Sequence, residues 1–187
     1  MSIISFLDYI SLEKKCSQNT VKAYKANLLA FESFLKSQND EENIETVSYG
    51  EIRAWIVNLV QLGNSSRTVN RKVSALRSFY KFQLRIGNIK VSPLKEHKVL
   101  KTDTKVGLPF SKEEMKNLFE LDIFPNNYVG SISKTIIQLL YFTGIRRSEL
   151  IDLKVQDIDF STRLLKVLGK RNKERLVPLL PEIQHHM

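Results

Sequence analysis

The sequence predicts a mainly α-helical α+β protein in which helices come first and a small antiparallel β-meander follows. Three observations carry that prediction. Segments between residues 2 and 86 repeat apolar side chains at helical spacing. Two Ser-x-x-Glu boxes, Ser48 with Glu51 and Ser111 with Glu114, mark helix starts. From Val155 onward the texture changes to short apolar or alternating runs, divided by Ser161-Thr162 and by the turn-like GKRNKE.

The elements follow in order. Residues 2–14 read as a short helix and 17–36 as a longer one, with Val21, Tyr24, Leu28, Phe31 and Leu35 on its buried stripe. Polar residues SQNDEEN break the pattern. Ser48 then caps a helix that buries Ile52, Trp55, Ile56 and Leu59 and ends at Gly63-Asn64-Ser65-Ser66. A fourth helix, 67–86, buries Val69, Val73, Leu76, Tyr80 and Leu84 and closes at Gly87. The stretch 88–106 holds Pro93 and several lysines with little periodicity, so it reads as a linker between a helical domain, 1–87, and a second domain, 107–187. Ser111 caps a helix there, another spans about 129–142, and strands are expected at 155–160, 163–168 and 175–179.

Composition narrows the class. At 187 residues, 42% hydrophobic and 26% charged, the chain can bury a core without disulfides or structural metal. The single Cys16 makes neither an intramolecular bridge nor a thiolate zinc cage and fits a reducing compartment, so the cytoplasm is expected. The opening MSIISFLDYISLEKK lacks the basic leader of an export signal. The apolar run 136–142 falls far short of the roughly 20 residues of a membrane span, so no membrane partner is expected.

Charge points to a polyanion. Lys and Arg number 29 against 20 Asp and Glu, a net of +9. The window 67–101 holds ten basic residues and one acid, Glu96, whereas the rest of the chain balances 19 basic against 19 acidic residues. On the fourth helix Arg67, Arg71, Arg77, Lys81 and Arg85 share an arc with Ser74 and Ser78, opposite the apolar stripe. A charge run of this kind is most often a solvated face. Here the acids that would make a mixed surface are absent, which favours nucleic acid.

Two segments carry the chemistry. TGIRRSELIDLKVQDIDF, 143–160, ends a helix at Gly144, holds Arg146 in the following turn and starts another helix with Ser148-Glu149-Leu150. VLGKRNKERLVPL, 167–179, forms a hairpin with Lys170 near its tip. In this order and spacing they resemble the tyrosine recombinase/integrase family, its bacterial Xer-type members in particular. NTVKAYKANLLAFESFL, 19–35, and NRKVSALRSFYKF, 70–82, are similar to the second and fourth helices of that family's core-binding domain.

The resemblance implies a four-helix SAM-like core-binding domain followed by the first part of the catalytic domain. It also implies a bacterial, nucleoid-associated protein that binds double-stranded DNA, with a second recombinase protomer as a partner of the full-length form. Such enzymes attack a phosphodiester with a tyrosine hydroxyl and without a metal or other cofactor, so side chains must meet the charge that builds on the phosphate oxygens. A guanidinium grips two such oxygens in a fixed fork, the role implied for Arg146. Lys170 is the implied proton donor to the leaving oxygen. Glu149 is implied to hold the arginine in place. Lys22 and Lys25 on the second helix, and Arg67, Arg71, Arg77 and Lys81 on the fourth, are the implied DNA contacts, with Lys173 and Arg175 adding backbone contacts beside the hairpin.

Plainer readings stand beside these. Arg146 offsets the carbonyl end of the preceding helix, Lys170 is ordinary turn chemistry, and Glu149 is favoured in any first helical turn. The family's His-x-x-Arg motif and late tyrosine have no counterpart here, because the six tyrosines (9, 24, 49, 80, 128 and 141) all precede the hairpin. His185 and His186 lack a third metal ligand. The expectation is therefore a recombinase portion that binds DNA but does not cut it alone. The alternatives are a non-catalytic module occupying recombination sites and a helical protein binding RNA or an acidic partner.

Overall fold

The computed structural model describes residues 2–38, 43–103, 106–121, 123–169 and 173–179. The chain divides into two compact units, residues 1–106 and 107–187.

In the first unit, α1 (Ser2–Asp8) widens into a π-helical turn, Tyr9–Glu13, closed by Lys14 N donating to Tyr9 O. α2 (Gln18–Gln38), α3 (Tyr49–Gln61) and α4 (Ser66–Arg85) complete it. Glu51 accepts from Ser48 N at the start of α3, and Ser65 Oγ accepts from Thr68 N at the start of α4. Caps of this kind satisfy backbone donors that the helix itself cannot. The core gathers Phe6 and Ile10 with Leu28, Phe31 and Leu35 of α2 and the four expected α3 residues, Ile52, Trp55, Ile56 and Leu59. Ring pairs at 5.6 Å (Phe6–Phe79) and 4.9 Å (Phe31–Trp55) set the helix spacing.

Two expectations change. Leu84 is 38% exposed, whereas Phe79, Phe82 and Gln83 are buried. Phe6 packs on Phe79 and Phe82, so α4 is covered on a second side near its end and its buried arc is wider than one stripe. The stretch expected as a linker also docks in part on the helices. Leu94 is 4% exposed, and Ile89 and Leu100 pack on the same core. Asn70 holds the end of this stretch with both halves of its amide, Nδ2 donating to Leu100 O at 2.8 Å and Oδ1 accepting from Leu100 N at 2.9 Å.

The second unit contains α5 (Lys112–Glu120), α6 (Tyr128–Thr143), α7 (Arg147–Ile151) and a 3₁₀ turn, Val155–Asp157. A three-stranded antiparallel sheet follows, β1 (Ile158–Asp159), β2 (Leu164–Leu168) and β3 (Glu174–Pro178), in the order β1-β2-β3. Its first strand is shorter than the expected 155–160, because Val155–Asp157 form the 3₁₀ turn. Asp159 Oδ1 accepts from Ser161 N and Thr162 N and so builds the turn into β2. Leu165, Val167, Val177 and Leu179 bury one face of the sheet with Leu139 and Ile145.

Gly130 sits where a side chain has no room, since a Cβ there would lie 1.8 Å from Pro125 O. Asn127 Oδ1 accepts from Gly130 N at 2.9 Å, fixing this entry into α6. Gly130→Ala must therefore displace backbone. It should lower the second unit's stability by roughly 1–3 kcal/mol, readable by urea unfolding followed on its own amide resonances.

Candidate nucleic-acid interface

On the helical unit, the expected cations Lys22, Lys25, Arg67, Arg71, Arg77 and Lys81 are all exposed. None of them makes an ion pair among the described residues, so their charge is uncompensated locally. Arg85 differs. Its Nη1 donates to Tyr9 Oη at 2.8 Å, its guanidinium lies over the Tyr9 ring, and Glu13 stands 4.0 Å away.

α2 and α4 border a shallow groove of about 350 Å³. Asn19, Thr20, Ala23, Tyr24 and Asn27 supply one wall, and Arg71, Ser74 and Ala75 the other. Small residues permit the close approach, and Tyr24 Oη meets Ser78 Oγ at 3.2 Å across it. Arg71 reaches this groove, whereas Lys22 and Lys25 lie outside its lining. Burial, then the charge of Arg77, hold His97 below the usual imidazole value, so it adds no cation here at neutral pH.

The second unit builds a different site around a carboxylate. α6 stops at Gly144, whose left-handed backbone (φ 63°) costs little because glycine has no Cβ, and whose N–H returns to Leu140 O at 3.1 Å. Buried Ile145 anchors the turn, and Arg146 becomes the residue that opens α7. Three positions on, Glu149 folds back, its Oε2 accepting from Arg146 N at 2.8 Å and its Oε1 from Arg146 Nη1 at 2.7 Å.

Arg175 of β3 reaches the same carboxylate from the other side. Nη1 donates to Oε1 at 2.9 Å and Nη2 to Oε2 at 2.8 Å, a two-pronged fork. The Glu149 side chain is 4% exposed, against 66% for Arg146 and 39% for Arg175. The Arg175 hydrogen bonds first, and then the Arg146 backbone N–H, hold the Glu149 carboxyl well below the usual carboxylate range. Glu149 therefore stays ionised and four-fold hydrogen-bonded. The exposed remainder of the Arg146 guanidinium makes no other hydrogen bond among the described residues and presents donors to solvent.

Of the other expected residues, Lys173 is exposed and its carbonyl accepts from Gly169 N at 2.7 Å. Lys170, His185 and His186 lie outside the described residues. Arg175, expected to reach a DNA backbone, has its fork on Glu149. Strand parity held the signal for this. Arg175 shares a face of β3 with buried Val177 and pairs in register with buried Val167. A cation on that face needs an acid beneath it.

With this geometry in view, similarity to known proteins decides the family. Residues 3–87 match the family described as phage integrase, N-terminal SAM-like domain, and residues 110–187 match the phage integrase family. The chain belongs to the tyrosine recombinase/phage integrase family. Tyrosine recombinase XerC of Oceanobacillus iheyensis is 38% identical over 176 residues, 94% of this chain and 57% of that protein. The XerC of Staphylococcus epidermidis is 37% identical over 174 residues, 93% of this chain and 58% of its own length. This recombinase-family chain thus spans a little over half the length of these curated relatives.

Solved structures share its fold at low identity. The Tn1549 transposon integrase in complex with transposon right end DNA has a TM-score of 0.76 at 19% identity, covering 100% of this chain and 63% of that one. A lambda integrase tetramer bound to a Holliday junction has a TM-score of 0.72 at 16% identity, covering 95% and 49%. No helix among the described residues is long and apolar enough to cross a membrane.

Proposed function

We propose that this chain is the DNA-binding and phosphate-gripping portion of a site-specific tyrosine recombinase, acting on double-stranded DNA in the bacterial cytoplasm at the nucleoid. The observation that carries this reading is Arg146: an exposed guanidinium anchored through a buried, ionised Glu149, within the TG-x-R-x-SEL segment. A side chain held this way meets the charge that develops on a phosphate without reorganising at the moment of reaction.

The first unit supplies affinity. Arg67, Arg71, Arg77 and Lys81 on α4, with Lys22 and Lys25 on α2, make no ion pair among the described residues and neutralise phosphates, and Arg71 does so from the α2–α4 groove it lines. The second unit supplies the grip. In the complete recombinase Arg146 clamps the non-bridging oxygens, Lys170 protonates the leaving 5′ oxygen, and a tyrosine from the remaining length attacks the phosphorus to give a 3′-phosphotyrosine link. Exchange of strands then requires a second protomer.

The test is strand cleavage on a nicked duplex by the complete recombinase. Arg146→Ala should slow cleavage by about 10² or more while duplex binding falls only severalfold. Lys170→Ala should slow cleavage sharply with binding unchanged. Normal cleavage in the first variant contradicts the clamp, and in the second removes the lysine from its role.

A further inference from the structure

We infer that Arg175 is a positioning residue for the phosphate grip, acting on Arg146 through Glu149 rather than touching DNA itself. The inference rests on the reading of Arg146 as a phosphate clamp and adds what holds it.

Arg146 alone is poorly placed to stay still. Its side chain is two-thirds exposed, and a single hydrogen bond from Nη1 is the contact that restrains its guanidinium among the described residues. The carboxylate it uses belongs to α7, a helix of 5 residues that has little rigidity of its own. Something must fix Glu149. Arg175 does so with both prongs, from β3, a strand paired along its length with β2 in the core-facing sheet. The fork sets the plane of the carboxylate, and that plane decides where Oε1 and Oε2 meet Arg146.

The hairpin base fits around this bridge. A Cβ on Gly169 would lie 3.2 Å from Arg175 Nη1 and 3.5 Å from Glu149 Oε1, so the glycine backbone closes over the ion pair. Glu149 is thereby shared between the α6–α7 turn and the β2–β3 hairpin. With the carboxylate as its acceptor and the strand's buried face as its direction, Arg175 is committed inward.

Equilibrium binding of this chain to duplex DNA, measured across salt, tests the assignment through its coupling to Arg146. Wild type, R175Q and R175K are each compared with and without R146A. R146A should cost severalfold in the wild-type chain and less than about twofold in both Arg175 backgrounds, since the arginine is already unanchored there. Lysine keeps the charge and lacks the fork, so R175K should behave as R175Q does.

A direct phosphate contact predicts the reverse. R175K would then retain affinity, R175Q would lower the salt slope by about 1, and the R146A penalty would persist, which overturns the assignment. An R146A penalty absent from the wild-type chain overturns the clamp reading, and the assignment with it. Where R175Q fails to fold, E149Q combined with R175Q replaces the ion pair by two amides that satisfy one another. An R146A penalty below about twofold in that background supports the assignment, and a full penalty overturns it.

Discussion

Reversing Arg71 and Arg77 together should abolish most duplex affinity of the chain. Both residues are exposed and make no ion pair among the described residues, so each reversal removes one phosphate attraction and places a carboxylate against the DNA. At moderate salt the loss expected for R71E with R77E is about tenfold or more, and the slope of log K on log salt should fall by about 2. The fold should survive, because exposed charges away from caps and core change stability little, within about 0.5 kcal/mol each. Fluorescence anisotropy of a labelled duplex, with circular dichroism as the control for folding, reads both. Unchanged affinity at low salt would mean that the basic arc of α4 is only a solvated face.

The second large effect is on the acid side of the stability curve. Glu149 is ionised in the folded state well below the usual carboxylate range, with Arg175 as the leading cause. A folded-state pKa lowered in this way contributes stability that is present in full above the unfolded value and lost as pH falls through the folded one. Glu149→Gln should therefore weaken the second unit near neutrality, and the difference from wild type should shrink as the solution is acidified. Some acid sensitivity should remain. Asp159, held low by Ser161 and Thr162, and Glu114, held low by Ser111, titrate in the same direction. Urea unfolding from pH 7 downward, followed on the amides of β2 and β3, checks this. A difference between E149Q and wild type that stays constant down to strong acid would contradict the ionised bridge.

Much of the architecture was legible because local chemistry repeats. The Ser48–Glu51 and Ser111–Glu114 boxes open α3 and α5, and the α3 stripe Ile52, Trp55, Ile56 and Leu59 is buried as helical periodicity requires. What periodicity could not supply was tertiary cover. Leu84 lies on the right stripe by spacing, yet α1 covers Phe79 and Phe82 instead. The docking of 88–100 joins the packing of Ile89, Leu94 and Leu100 on the helical core to a clasp by Asn70 on a backbone thirty residues away, and such a clasp leaves no mark on local pattern.

The site was half legible for a similar reason. Arg146 and Glu149 stand three apart on one short helix start, so their meeting is a local fact. Arg175 is 26 residues from Glu149, and the resemblance implied a DNA-backbone contact for it. Its parity with Val177 pointed to the buried face where its fork meets Glu149, because alternate residues of a strand share a face. Reading that parity together with charge would have placed a cation on the core side and called for the acid of α7.

DNA binding by these units is tested most directly by the salt dependence of duplex binding by the unaltered chain. Several cations on α2 and α4 that make no ion pair among the described residues each release a counterion on meeting phosphate, so log K should fall linearly and steeply with log salt, by about 0.9 per phosphate neutralised. A slope of several units, with measurable affinity at low salt, is the predicted result. A flat line, or no binding at low salt, would contradict a DNA-binding role for these units.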